Sequence, residues 1–127
     1  MLKVLLIEDD ESFRKILRLA LVSMGYEVIE ARHGGEALRI LASTLPDLVI
    51  TDLIMPEKEG LETILEIQRR YPGQKIIAMS GGGRINSKEL LKMAGQLCAV
   101  PTLGKPFSAE QLASVINATM RGDLPQC

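Results

Sequence analysis

Five short apolar runs punctuate this chain, and a stretch of helical period separates each from the next. The runs are "KVLLI" (3–7), "YEVIEA" (26–31), "DLVIT" (47–51), "KIIAM" (75–79) and "AVPTL" (99–103). Most are apolar at nearly every position, so neither face of the strand is left for water. Strands of this kind, alternating with amphipathic helices, imply a parallel sheet covered on both sides. The predicted architecture is therefore (βα)5, an α/β fold with a doubly wound five-stranded sheet. A chain of 127 residues suits one such domain.

The helices follow from spacing. Phe13, Ile16, Leu17, Ala20, Leu21 and Met24 recur at three and four residues, and Gly25 ends the run. "HGG" (33–35) reads as a turn with His33 on its surface. Ala37, Leu38, Leu41 and Leu45 mark a second helix closed before Pro46, and Leu61, Ile64, Leu65 and Gln68 a third, stopped by "YPG" (71–73). Leu90, Leu91, Ala94 and Leu97 suggest a fourth. Ser108 and Gln111 form a capping box opening the last helix, which Gly122 ends. Pro101 cannot donate to a ladder, so the fifth strand should lie at a sheet edge. The expected domain spans 1–122, with 123–127 a frayed tail.

Composition excludes several classes. Fifteen basic and sixteen acidic residues leave no electrostatic footprint for nucleic acid. No apolar stretch reaches membrane-span length, and "MLKVLLIEDD" turns acidic too early for a secretory signal. Cys98 and Cys127 form neither a disulfide framework nor a metal motif. A cytoplasmic location with free thiols is expected.

In open parallel sheets, ligands bind beyond the carboxyl ends of the strands. Those ends carry Glu8-Asp9-Asp10, Asp52, Ser80 and Lys105. A carboxylate ending a buried strand, as in "LVITDLIMP" (48–56), costs stability unless it is paired or used. Like charges about 4 Å apart repel by about 4 kcal/mol at an effective dielectric near 20. Gathered acids therefore need protonation, separation or a cation. All-oxygen ligands favour Mg²⁺, with Mn²⁺ as a substitute. A lysine suits a phosphoryl oxygen, and Ser80 adds a hydroxyl donor. Asp52 thus reads as an acceptor for a phosphoryl group.

These residues, in the motifs "LLIEDDESFR", "VITDLIMPEKEGLE", "IIAMSGGG" and "LGKPF", resemble those of response-regulator receiver domains, the single-domain chemotaxis type included. The likeness covers nearly all of residues 2–120. It implies a flavodoxin-like fold with strand order 2-1-3-4-5, and a phosphoacceptor, Asp52, loaded by a sensor histidine kinase or a phosphotransfer protein. Aligned through Arg14, Asp9 takes the place of the direct metal ligand and Glu8 that of its neighbour acting through water. Asp10 enters the set if the register slips by one. The Ile54 backbone carbonyl supplies the third protein ligand, Ser80 is the switch hydroxyl, and Lys105–Pro106 is a cis bond. The resemblance implies output through a downstream protein contact across the fourth helix, fifth strand and last helix.

Several positions depart from the family pattern. Thr102 stands where most receivers carry Tyr or Phe, which predicts an altered readout. Cys98 replaces a common Gly, and three glycines follow Ser80. Ile54 and Gly82 offer no polar group to position a water, so slow self-dephosphorylation is expected. Asp47 and Glu57 read as solvated loop acids. Competing readings are a pseudo-receiver binding partners without phosphate, a flavodoxin-type flavin binder, and an aspartate-based phosphatase. The flavin binder needs a hydroxyl- and glycine-rich loop where this chain has acids. The phosphatase needs a second acid at position 54, which is Ile.

Overall fold

A computed structural model describes residues 1–53, 59–80 and 100–122. In chain order the elements are β1 (Lys3–Ile7), α1 (Glu11–Ser23), β2 (Glu27–Ala31), α2 (Gly34–Leu41), β3 (Leu48–Asp52), α3 (Glu59–Arg70), β4 (Ile76–Ser80), β5 (Thr102–Gly104) and α4 (Ala109–Arg121). The five strands are parallel in the order β2-β1-β3-β4-β5, as expected. The predicted helix near Leu90–Leu97, together with Ile54, Glu57, Gly82, Cys98 and the 123–127 tail, lies outside the described residues.

The apolar strands divide their residues between two cores, because successive side chains point to opposite faces. Leu5, Ile7, Val49, Ile76 and Ala78 pack with Ala37, Leu41, Ile64 and Ile67 under α2 and α3. Val4, Leu6, Leu48, Ile50, Ile77 and Met79 pack with Leu17, Leu21, Leu112 and Ile116 under α1 and α4. Full burial of one aliphatic side chain stabilises by about 1.5–3 kcal/mol.

Helix ends depart from the spacing pattern for local reasons. Gly34 and Gly35 open α2 rather than forming a turn, and the His33 ring Nδ1 caps it by accepting the Glu36 N–H at 3.1 Å. The same helix ends at Leu41 in a tightened turn, where the Ser43 N–H and hydroxyl both donate to the Ile40 carbonyl. Leu45 therefore lies beyond the helix and is 70% exposed. Ile16 and Leu65, both read as core-facing, are exposed, while Leu17 and Ile67 take the inward positions. Asp47 is structural rather than merely solvated, since it accepts the Lys3 backbone N–H at 2.7 Å and ties the start of β3 to β1. Strand β5 begins three residues later than predicted, but the Pro101 carbonyl already accepts the Ala78 N–H at 2.9 Å. Among the described residues it pairs only with β4, the edge position expected from its proline.

The capping box at Ser108 and Gln111 is formed, and Gly122 closes α4 in the left-handed conformation at φ 83°. The Lys105–Pro106 bond is cis.

Candidate functional site

Parallel pairing brings the strand ends together on one edge of the sheet. Ile7 stands level with Ala31 and Thr51, Asp52 with Met79, and Ser80 with Gly104. The ladder continues one step further: Glu8 N–H donates to Ala31, Leu53 N–H to Met79 and Lys105 N–H to Ser80. Glu8 and Asp52 thus leave neighbouring strands at one level, and Lys105 leaves β5 two residues further along.

Their side chains meet. The Lys105 ammonium donates to Glu8 Oε1 at 2.6 Å and to Asp52 Oδ2 at 3.1 Å. Glu8 is 1% exposed and Asp52 5%, whereas Asp9 is open to solvent. Carboxylate oxygens of Glu8, Asp9 and Asp52 all lie within 4.8 Å of one another. Three ionised acids against one ammonium leave excess negative charge, and each such pair costs about 3 kcal/mol at an effective dielectric near 20. Burial pushes the Glu8 carboxyl up to about 7, with the Lys105 hydrogen bond opposing and the Asp52 charge adding. Burial alone would lower the Lys105 pKa. Its hydrogen bond to Glu8 and the charges of Asp52 and Glu8 outweigh that and raise it.

Asp10 does not join the acids. Its carboxylate caps α1, accepting the Phe13 N–H at 3.0 Å, while its own N–H donates to Glu8 Oε2 at 3.2 Å. The acids that come together are thus Glu8, Asp9 and Asp52, with Asp10 engaged at the helix start. Both oxygens of the Glu8 carboxylate are engaged, one by Lys105 and one by Asp10 N–H. An all-carboxylate set at this separation fits a small, hard divalent cation that keeps part of its water shell.

Ser80 is the half-buried last residue of β4. Thr102 is exposed on β5, so in this state its side chain lies on the outside.

Several neighbours escaped the reading of strand ends. The Arg14 guanidinium donates to the Glu8 carbonyl at 2.9 Å and to Glu30 Oε1 at 3.2 Å, bracing the turn that carries the acids. Gly60 sits against the end of β3: a Cβ there would lie 2.3 Å from the Asp52 carbonyl oxygen. The Phe13 ring lies under the Lys105 ammonium, 4.2 Å from its centroid, and meets Phe107 edge to face. Phe13 had signalled only helix packing.

A family model described as the response regulator receiver domain matches residues 4–117. The chain is 34% identical over 122 residues to the transcriptional regulatory protein GlrR of Escherichia coli (strain K12), a match covering 96% of this chain and 27% of that protein. It thus spans about a quarter of that relative's length. Among solved structures it is similar to a response regulator receiver domain protein from Clostridium thermocellum, with a TM-score of 0.84, 29% identity and 97% of each chain covered. It is also similar to the Vibrio cholerae chemotaxis protein CheY4, with a TM-score of 0.82, 29% identity, and 94% of this chain and 98% of that one covered.

Proposed function

Since this chain belongs to the response regulator receiver domain family of two-component signalling, we propose that Asp52 is its phosphoacceptor. The observation that carries this reading is the convergence of Glu8, Asp9, Asp52 and Lys105, from three strand ends, on one pocket.

The donor is the phosphohistidine of a sensor histidine kinase or phosphotransfer protein. An Asp52 oxygen attacks phosphorus and the P–N bond breaks. Its electron pair returns to the imidazole, which keeps or takes up a proton to leave neutral. The product is an acyl phosphate on Asp52. Lys105, already bonded to Asp52, holds the carboxylate and faces the incoming negative charge. Glu8, Asp9 and Asp52 are the described residues that would hold Mg²⁺ or Mn²⁺; the Ile54 carbonyl expected from the resemblance lies outside the described residues. When bound, the ion neutralises charge on the transferring phosphoryl oxygens. The Ser80 hydroxyl donates to the same group and is the switch, with Thr102 giving a readout without the usual aromatic.

The chain modifies itself rather than turning over an outside substrate, because position 54 is Ile where a phosphatase needs a general acid. Balanced charge favours a protein as the downstream target, contacted in the cytoplasm through the face that carries β5 and α4. Among the described residues no helix is long and apolar enough to cross a membrane. A pseudo-receiver has no use for a buried acid and lysine held at 3.1 Å, so this alternative is unsupported.

The test is labelling with acetyl phosphate, followed by intact mass. Wild type should gain one phosphoryl group only with Mg²⁺, and Asp52→Asn none. Equal labelling of Asp52→Asn, or none of wild type, overturns the assignment.

A further inference from the structure

The chain has only two phenylalanines, and both stand at the site. Phe13, in the first turn of α1, places its ring 4.2 Å from the Lys105 ammonium, well inside the range of a cation–π interaction. Phe107, two residues after that lysine, meets Phe13 edge to face at a centroid separation of 6.0 Å and an interplanar angle of 89°. Among the described residues the ammonium thus meets two carboxylates, Glu8 and Asp52, and one aromatic face.

Packing alone does not require this residue. Leu or Met would fill a half-buried helix position beside Leu17, but neither presents a negative face to a cation. The contacts also differ in what becomes of them. Phosphoryl transfer consumes the Asp52 charge, and Glu8 belongs to the acid set that a divalent ion recruits. The ring keeps its quadrupole throughout. On the reading of Asp52 as phosphoacceptor, we infer that Phe13, braced by Phe107, is a positioning residue. It holds the Lys105 ammonium over Asp52 by a cation–π contact that survives the transfer.

The experiment uses the full chain, with Phe13 replaced site-specifically by mono-, di- and trifluorophenylalanine. Fluorination drains the ring face of negative potential while nearly keeping its shape. The rate of Asp52 labelling by acetyl phosphate and Mg²⁺ should fall stepwise, roughly fivefold across the series, at unchanged Tm. Phe13→Leu should lose at least as much, and Phe13→Tyr should keep most of the rate. Without metal, proton NMR should show the Lys105 ε-methylene signal shifted upfield by the ring current in wild type, and back at its ordinary position in Phe13→Leu. A flat fluorine series in a chain that labels normally, or no ring-current shift, overturns this inference alone. A wild-type chain that takes no phosphate overturns both it and the assignment of Asp52.

Discussion

Glu8 and Lys105, 97 residues apart in sequence, meet at 2.6 Å, closer than the lysine approaches Asp52. In this state the lysine is shared, and the buried partner holding it most closely is an acid whose own charge is costly. Glu8 is therefore where folding and ion binding should be coupled.

That coupling has a sign. Burial raises Glu8 from 4.5 to about 7, so between these values the folded chain holds a proton that the unfolded chain has released. Stability contributed by this group is then lost as pH rises through that window. Lys105, whose pKa is raised above 10.5, contributes stability that is lost only at higher pH. Urea midpoints in metal-free buffer should fall with pH in wild type relative to Glu8→Gln, which cannot ionise. Parallel curves for the two proteins between pH 4.5 and 7 would remove Glu8 as the cause.

Gly60→Ala sets two effects against each other. Alanine is the better helix former by about 1 kcal/mol. Its Cβ, however, would stand 2.3 Å from the Asp52 carbonyl oxygen and 2.5 Å from that of Leu53. These are backbone atoms in a packed strand end and cannot swing aside. Overpacking should win, with a net loss of about 1–3 kcal/mol and slower labelling at Asp52. Gly104→Ala is the contrast, because among the described residues its Cβ meets only Ser80 Oγ, at an ordinary 3.9 Å. Equal melting temperatures for the two variants would refute the close approach.

The strands and the residues at the sheet's carboxyl edge were legible because each has a local signal: apolar runs for strands, acids and a lysine where those runs end; the strand order came from the family resemblance. Helix limits were less so. Leu45 continues the spacing of α2, but the chain tightens at Ser43, whose N–H and hydroxyl both donate to the Ile40 carbonyl, a competition that periodicity does not register. Ile16 satisfies the pattern of α1 yet is 66% exposed, since Leu17 and Leu21 already fill the inward stripe. Asp10 and its neighbours are three acids in a row, and only the cap on α1 tells them apart. Phe13 beside Lys105 is a pairing of residues 92 positions apart by numbering (105 − 13), which no local pattern predicts.

Lys75 links the start of β4 to the last turn of α4. Its ammonium donates to the Thr119 carbonyl at 3.2 Å and to that of Met120 at 2.9 Å. Both carbonyls lie in the last turn, at the negative pole of the helix dipole, and that of Thr119 also accepts the Gly122 N–H at 3.2 Å. Lys75→Met keeps the stem and removes the charge, and should cost about 1 kcal/mol. For a chain of this size that is a drop in melting temperature of about 4 °C. An unchanged melting temperature would mean that water replaces the lysine without loss.

Arg14 and Arg18 both pair with Glu30, and their difference predicts which one matters to the site. Arg18 reaches it at 3.6 Å from a side chain 35% exposed, a surface pair worth little in water. Arg14 is 12% exposed and also donates to the Glu8 carbonyl at 2.9 Å, so its loss frees the backbone between Glu8 and Asp9. Groups that orient a metal's ligands commonly contribute at least tenfold to its affinity. Arg14→Met should therefore raise the Mg²⁺ concentration giving half-maximal labelling of Asp52 by roughly tenfold, whereas Arg18→Met should leave it nearly unchanged. A Mg²⁺ titration of labelling rate separates the two, and equal midpoints would show that the acids hold their places without Arg14.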